Sequence, residues 1–471
     1  MTQTSVPAEL FSTRRLAEQA FSRAAGAPLS SGNDVQLMID AAVQFDAWLE
    51  AIKSAQHHVL VENYLFSDDR IGRAFRDALS ERARAGVSVH VIRDWFGCLG
   101  QSGSRFWSPL LAAGGQVRTY NPPRLDSPLG WISRDHRKML AVDNRVGFLS
   151  GVCVSARWLG NPAKGSDAWR DTGVQLRGPV LAELQLAFAD VWDDLGPALP
   201  DQALADADKI AAAGKMDLRV IATRPQVGGV YRLDQLIASM ASKSLWLTDA
   251  YFVGLAPYTQ ALGAAARDGV DVRLLVPGSS DVPVVAAMSR SGYRGLLQAG
   301  VRVFEWQGSM LHAKTAVADG RWARVGSSNL NIASWLSNCE IDVAVEDSDF
   351  AATMQTQFEL DLGHAEEVVL PPRRRLTRAD LRRSENHHHR ARRGRAAASA
   401  MRLASTVGDA LANRRVLGVA ESSVLLGATA MLSVIAALAL LWPWLIAWPL
   451  AVFLLWLAIS LGLRYRRLRQ R

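Results

Sequence analysis

Asp135-His136-Arg137-Lys138-Met139-Leu140-Ala141-Val142-Asp143 and Leu311-His312-Ala313-Lys314-Thr315-Ala316-Val317-Ala318-Asp319 are two versions of one pattern. In each, a histidine is followed two places on by a lysine, and five further by an aspartate. One such match in a 471-residue chain is weak, but two in similar settings point to a duplicated unit. The apolar runs Met139–Val142 and Thr315–Ala318 predict short strands, closed by turns at Asp143-Asn144 and Asp319-Gly320. Alternation along a strand then puts His136 and Lys138 on one face, and His312 and Lys314 likewise. An imidazole beside an ammonium group is suited to meeting a phosphate.

The repeat extends outward from these motifs. Ala83–Asp94 (ARAGVSVHVIRD) is answered by Ala265–Pro277 (AARDGVDVRLLVP), each a helix end, a glycine turn and a strand. Leu110–Tyr120 is answered by Leu296–Trp306, and Val59–Phe66 (VLVENYLF) by Leu245–Phe252 (LWLTDAYF). Alternating strands and helices predict an α/β unit with a mostly covered sheet, built twice. If each unit carries half of the chemical groups, the two must face each other across one site.

The paired H-x-K-x4-D motifs resemble those of the phospholipase D superfamily over about residues 33–370. The flanking detail is similar to the bacterial cardiolipin synthase branch: ENYLF with Asp69 and Gly72, the RDHRK entry, Trp169–Pro179 and Gly326–Glu340. That resemblance implies two phospholipase D-like α/β units packed face to face around a shared active site. It implies a metal-free, cofactor-free transfer through a phosphohistidine, with one histidine attacking and the other serving as acid and base, and Lys138 and Lys314 holding the phosphate oxygens. Either His136 or His312 can be the attacker, and the family more often uses its N-terminal copy, here His136. By the same resemblance Ser327 and Asn329 donate to phosphate, Glu340 backs His312 and Asp171 backs His136. Asp143 and Asp319 complete the motifs and orient their turns. Where the second half has Gly326-Ser327-Ser328-Asn329, the first has Ser150-Gly151-Val152-Cys153, placing a weakly donating thiol in the asparagine position.

Net charge is +8 but unevenly spread. Thirteen arginines lie between Arg373 and Arg415 and five more end the chain, leaving residues 1–372 mildly acidic. That balance argues against a broad nucleic-acid surface. From Ser422 to Leu463 no residue is charged, a length suited to two membrane spans, near Ser422–Leu441 and Ala447–Leu463. Pro443 and Pro449 with Trp442, Trp444 and Trp448 mark the turn between them. Basic flanks on both sides place both ends in the cytoplasm. The start of the chain has no apolar signal core but suggests a short helix near Ala8–Ala24. Ala396–Leu411 suggests another helix, and the Arg373–Arg395 stretch suggests a tether beside an anionic leaflet. The triple His387-His388-His389 lies inside that tether, and Cys98, Cys153 and Cys339 lack metal-site spacing.

The expected organisation is therefore an N-terminal segment (1–32), two phospholipase D-like halves (33–200 and 201–370), an Arg-rich linker (371–415) and a membrane hairpin with a basic tail (416–471). The expected activity is a phosphatidyltransferase of the bacterial inner membrane, acting on its cytoplasmic side and joining two phosphatidylglycerols with release of glycerol. Its partners are phospholipid and membrane, without nucleic acid. A hydrolase releasing phosphatidate is the nearest rival, a phosphodiesterase or nuclease a more distant one, and a catalytically dead membrane scaffold the third.

Overall fold

The computed structural model describes residues 18–123, 132–161, 163, 165–200 and 204–370, with scattered helical positions between 441 and 459. The first half supplies seven strands: Ser30–Ile39 (β1), His58–Asn63 (β2), Ser88–Asp94 (β3), Gln116–Tyr120 (β4), Lys138–Val142 (β5), Val146–Ser150 (β6) and Thr172–Arg177 (β7). The second half adds Met216–Thr223 (β8), Ser244–Thr248 (β9), Asp271–Pro277 (β10), Arg302–Trp306 (β11), Thr315–Ala318 (β12), Trp322–Gly326 (β13) and Glu340–Glu346 (β14). Strand order is β1-β7-β6-β5-β2-β3-β4 in the first and β8-β14-β13-β12-β9-β10-β11 in the second, with Ala365–Glu367 (β15) on the far edge. The same order twice is the internal repeat made visible.

Each half mixes two kinds of pairing. β2, β3 and β4 are parallel, as are β9, β10 and β11, so helices must cross over between them. β5, β6 and β7 return antiparallel, which permits tight turns. Strands β2, β5 and β6 are buried at every position, which explains why Val59–Val61, Met139–Val142 and Val146–Leu149 read as apolar without alternation, while Glu62, Asn63 and Lys138 are polar groups buried at strand ends. The crossover helix Arg70–Arg84 starts at Asp69, whose carboxylate accepts from Ile71 N–H (2.9 Å) and Gly72 N–H (3.0 Å). Gly72 is required there, because a Cβ would overlap the Ser67 carbonyl.

Both halves belong to one compact unit, and β1 joins β8 in a short, irregular antiparallel pairing. A second unit holds, among the described residues, Pro123, Val282–Ser291 and the C-terminal helical positions. The seam between the halves is a core of its own: Leu60, Met139, Leu149 and Val174 pack in one cluster with Val317, Val325, Ile341 and Val343. At about 1.5–3 kcal/mol for each such side chain, apolar burial is the main force holding the halves together. The polar groups that also cross the seam set geometry more than stability.

Among the described residues no helix is long and apolar enough to cross a membrane. The spans expected at Ser422–Leu441 and Ala447–Leu463 lie largely outside the described residues. The Arg-rich linker, the His387–His389 run and the Ala396–Leu411 segment lie wholly outside them. Of the helix expected near Ala8–Ala24, the structure describes a helix over residues 18–25.

Candidate active site

The motif histidines do not sit on strands, contrary to the alternation reading. β5 begins at Lys138 and β12 at Thr315, so His136 and His312 lie in extended segments just before them. The reason is that each entry segment pairs with the opposite half instead of its own sheet. Asp135 bridges to Cys339, and His136 N–H donates to the Cys339 carbonyl (2.9 Å). Leu311 bridges to Arg170, and His312 N–H donates to the Arg170 carbonyl (2.7 Å).

Those two bridges decide which carboxylate meets which imidazole. Glu340 follows Cys339, and its oxygens lie 3.1 and 3.0 Å from His136 Nδ1. Asp171 follows Arg170, and its Oδ2 lies 2.8 Å from His312 Nδ1. The assignment drawn from the resemblance, Glu340 to His312 and Asp171 to His136, is therefore reversed: each half supports the other half's histidine. A carboxylate on Nδ1 fixes the tautomer and leaves Nε2 with its lone pair for the substrate.

The lysines complete one shared site. Lys138 and Lys314 are fully buried, and each ammonium bends back to the carbonyl of its own histidine, His136 and His312. Lys314 bears electrostatically on His136 and Lys138 on His312, while Cys153 feels both ammonium groups. Burial and these cations hold His136 below the ordinary imidazole value and His312 down at about 4. Both rings are thus neutral at pH 7, as a nucleophile or general base must be. Burial, then Lys138, lowers Lys314 to about 8. Burial raises both Asp171 and Glu340, but the facing imidazole, the lysine of that imidazole's half and the Trp158 or Ser327 donor together outweigh it and leave both below the usual carboxylate range.

Several expected site residues are placed differently. Ser327 is turned away from phosphate duty: its hydroxyl donates to Glu340 Oε2 (2.6 Å) and accepts from Ile341 N–H (2.9 Å). Asn329 is buried, and its side-chain oxygen has no hydrogen-bond partner, which leaves that amide uncommitted. Asp143 and Asp319 do not reach the imidazoles. They sit at the far ends of β5 and β12, in left-handed turn conformations (φ 52° each). Asp143 accepts from Gln56, His57 and His58 N–H (2.7–2.8 Å), fastening its turn to the start of β2. Asp319 does the same with Ser242, Lys243 and Ser244 (2.8–3.1 Å) ahead of β9. These carboxylates fasten turns and stand apart from the reacting groups.

Aromatic walls are the part that motif reasoning missed. Tyr64 stands edge-on to His136 (5.0 Å between centroids) and Tyr251 to His312 (5.7 Å). Each ring also faces the lysine of its half, Lys138 at 5.2 Å and Lys314 at 5.8 Å. Trp158 and Trp169 flank His312 at 5.2 and 5.7 Å, and Trp158 Nε1 donates to Asp171 Oδ2 (2.8 Å). The signal for the tyrosines was present, since both lie in the repeated ENYLF and TDAYF blocks. Arg170 closes the back of the site with a two-pronged pair to Asp361 (2.8 Å each), again across the seam.

Two carboxylate-backed imidazoles and two buried ammonium groups converging on one place define a phosphodiester-transfer site of the phospholipase D kind. The cardiolipin synthase, phospholipase D-like domain family matches at residues 48–159 and 233–362. Cardiolipin synthase A of Pseudomonas putida (strain W619) is 34% identical over 355 residues, covering 72% of this chain and 71% of that one. Cardiolipin synthase of Geobacillus thermodenitrificans (strain NG80-2) is 31% identical over 342 residues, covering 72% and 68%. The phosphatidylserine synthase of Haemophilus influenzae Rd KW20 shares the fold, with a TM-score of 0.60 at 14% identity over 75% of this chain and 92% of that one. The chain belongs to the cardiolipin synthase family of phospholipase D-like enzymes, and it is a phosphatidyltransferase of that type.

Proposed function

We propose that this enzyme makes cardiolipin from two molecules of phosphatidylglycerol. His136 Nε2 attacks the phosphorus of the first, and the P–O bond to the glycerol headgroup breaks. His312, neutral in the free site, takes up a proton as the anionic phosphodiester binds beside it, and gives that proton to the departing glycerol oxygen. Phosphatidyl-His136 remains, with His312 neutral. The terminal hydroxyl of a second phosphatidylglycerol then passes its proton to His312 and attacks the phosphorus, which frees His136. Lys138 and Lys314 offset charge growing on the non-bridging oxygens, and the uncommitted Asn329 amide donates a further hydrogen bond. Asp171 and Glu340 stabilise each imidazole when it carries charge. The single observation behind this reading is the crossed support of His136 by Glu340 and of His312 by Asp171, which makes one site out of two motifs.

We also infer that Ser422–Leu463 forms a membrane hairpin with both ends cytoplasmic, and that the Arg373–Arg395 stretch lies along an anionic leaflet. Holding the site against the bilayer keeps both substrates concentrated at its mouth. The deciding experiment incubates the enzyme with phosphatidylglycerol alone and identifies the products. Cardiolipin plus glycerol is expected; phosphatidate plus glycerol would make the enzyme a hydrolase. Truncation after Arg395 is expected to release the protein from membranes while sparing activity on detergent-dispersed lipid.

A further inference from the structure

Arg137 lies between His136 and Lys138, where the second motif has Ala313, so nothing in the duplicated pattern calls for it. It is fully buried. Its Nε donates to the carbonyl of Glu340 (3.2 Å), Nη1 to Ala187 (2.6 Å) on the helix Val180–Asp194, and Nη2 to Thr223 (3.3 Å) at the end of β8. One guanidinium thus ties first-half and second-half backbone together, and one of its three acceptors is the residue whose carboxylate holds His136. The guanidinium spreads fixed donors over three nitrogens and so reaches three separated carbonyls, whereas lysine's three donors all leave one atom.

Such a buried cation needs a counter-charge. Glu62 Oε1 lies 3.8 Å from Arg137 Nη1, and Asp135 precedes His136 directly. Glu62 and Asp135 are both fully buried; neither Glu62 oxygen nor Asp135 Oδ2 receives an N–H or O–H from a neighbouring group. Burial, then the Asp135 charge, raises Glu62 well above its usual value; burial and Asp94 raise Asp135 to about 7, against Arg137 and a hydrogen bond from Glu62 that lower it, so the proton sits on the Glu62 side of the pair. Asp94 is already matched by Arg134 (3.2 Å). One proton shared by Glu62 and Asp135 therefore satisfies their facing oxygens and leaves a single negative charge opposite Arg137.

We propose that Arg137 is a positioning residue that sets Glu340 against His136 across the seam, held by a Glu62–Asp135 pair that shares one proton. It acts on one imidazole only, because the carbonyl of Asp171, which serves His312, is held instead by Arg170 from its own half. The inference rests on the proposed transfer reaction only where turnover is measured.

The test uses the full chain in detergent, labelled with 15N-histidine, in which the Nδ1–H protons of His136 and His312 give separate low-field resonances. In Arg137→Met the His136 resonance is expected to move upfield or vanish and its titration to shift to lower pH, while His312 keeps both signals. Turnover of phosphatidylglycerol should fall about 100-fold with KM within about threefold, the loss typical of a displaced catalytic group. Adding R137M to Glu340→Gln should cost little more than E340Q alone, because both act through one contact. Glu62→Gln, which mimics the proton-bearing partner, should leave both resonances in place. An unchanged His136 resonance in folded R137M, equal changes at both histidines, or additive losses in the double variant would overturn the proposal. Displacement of His136 in E62Q would overturn the shared proton. Should R137M fail to fold, Arg137→Lys carries the same differential expectation. The resonance arm needs no lipid, so it stands or falls apart from the question of which product the enzyme makes.

Discussion

In the second half a serine hydroxyl braces the carboxylate that serves the distant histidine; in the first half an indole does. Ser327 donates to Glu340, and Trp158 donates to Asp171. The first half has Gly151 where the second has Ser327, and the structure explains the glycine: a Cβ there would overlap the Asp171 carboxylate. The shorter aspartate side chain draws the backbone close, removes room for a hydroxyl and hands the donor role to a tryptophan that also walls His312. Duplication has kept the histidine–lysine pair and strand order while the support around them diverged. What has not diverged is the crossing itself, because both bridges arise from the same pairing of an entry segment with the residue ahead of the other half's carboxylate.

The comparison breaks most decisively at the imidazoles. His136→Ala and His312→Ala should each lower turnover by at least about 10³-fold, since each removes either the nucleophile or the acid–base group. Acid-quenched lipid labelling separates the two: with the proposed roles, H312A still traps phosphatidyl-enzyme slowly and H136A traps none. Trapping by H136A alone would exchange the roles. The crossed carboxylates come next. E340Q and Asp171→Asn should each cost on the order of 10²-fold, because the imidazole loses the group that fixes its tautomer and balances its charge. The diagnostic is the partner affected: E340Q should perturb the titration of His136, and D171N that of His312. The opposite pattern would restore the pairing drawn from the resemblance.

Sequence alone carried the repeat, the α/β character of each half and the two motifs, because duplicated blocks report one another. It misassigned the carboxylates because the resemblance was taken to pair Glu340 with His312 and Asp171 with His136, while pairing is decided by two backbone bridges between residues 141 and 204 positions apart (Arg170–Leu311 and Asp135–Cys339). It placed the histidines on strands because the apolar runs Met139–Val142 and Thr315–Ala318 are strands, and alternation was carried two residues too far in the first motif and three in the second. Asp143 and Asp319 were read as orienting their turns, and they do so, five residues from their lysines, about 16 Å in extended chain. Ser327 was read as a phosphate donor because no pattern in sequence shows that its hydroxyl is consumed by Glu340.

The lysine of the second half sharpens the comparison through pH. Lys314 loses its proton near pH 8, since burial and then Lys138 disfavour its charge. Its ammonium form is needed to bind and neutralise phosphate, so kcat/KM should fall about tenfold per unit above pH 8. In kcat the same limb should move to higher pH, because the bound phosphate's negative charge keeps the ammonium protonated. Lys314→Arg, charged throughout this range, should remove the limb at the cost of a lower plateau. A kcat/KM flat to pH 10 in the unaltered enzyme would show that Lys314 does not carry the charge that matters.

The smallest expected effect lies at the residues that differ between the halves beside the phosphate. Asn329 has an uncommitted side-chain oxygen, whereas Cys153, its counterpart, is a buried thiol whose proton is held tightly, burial raising it to about 11 despite Lys138 and Lys314 nearby. A thiol so placed stays neutral and donates weakly, so it contributes little to anion binding. Asn329→Ala should then lower kcat about tenfold, the cost of one neutral donor to a developing charge, while Cys153→Ala stays within about threefold. Cys153→Asn is the informative variant. If the first half lacks only the donor, C153N should bind phosphate more tightly and partly offset N329A in the double variant. If the pocket around Cys153 has closed since duplication, the larger amide will instead lower stability without touching the KM for phosphatidylglycerol. Rescue of N329A by C153N would show that the halves remain interchangeable at the phosphate; no rescue would show that the second half alone now supplies this contact.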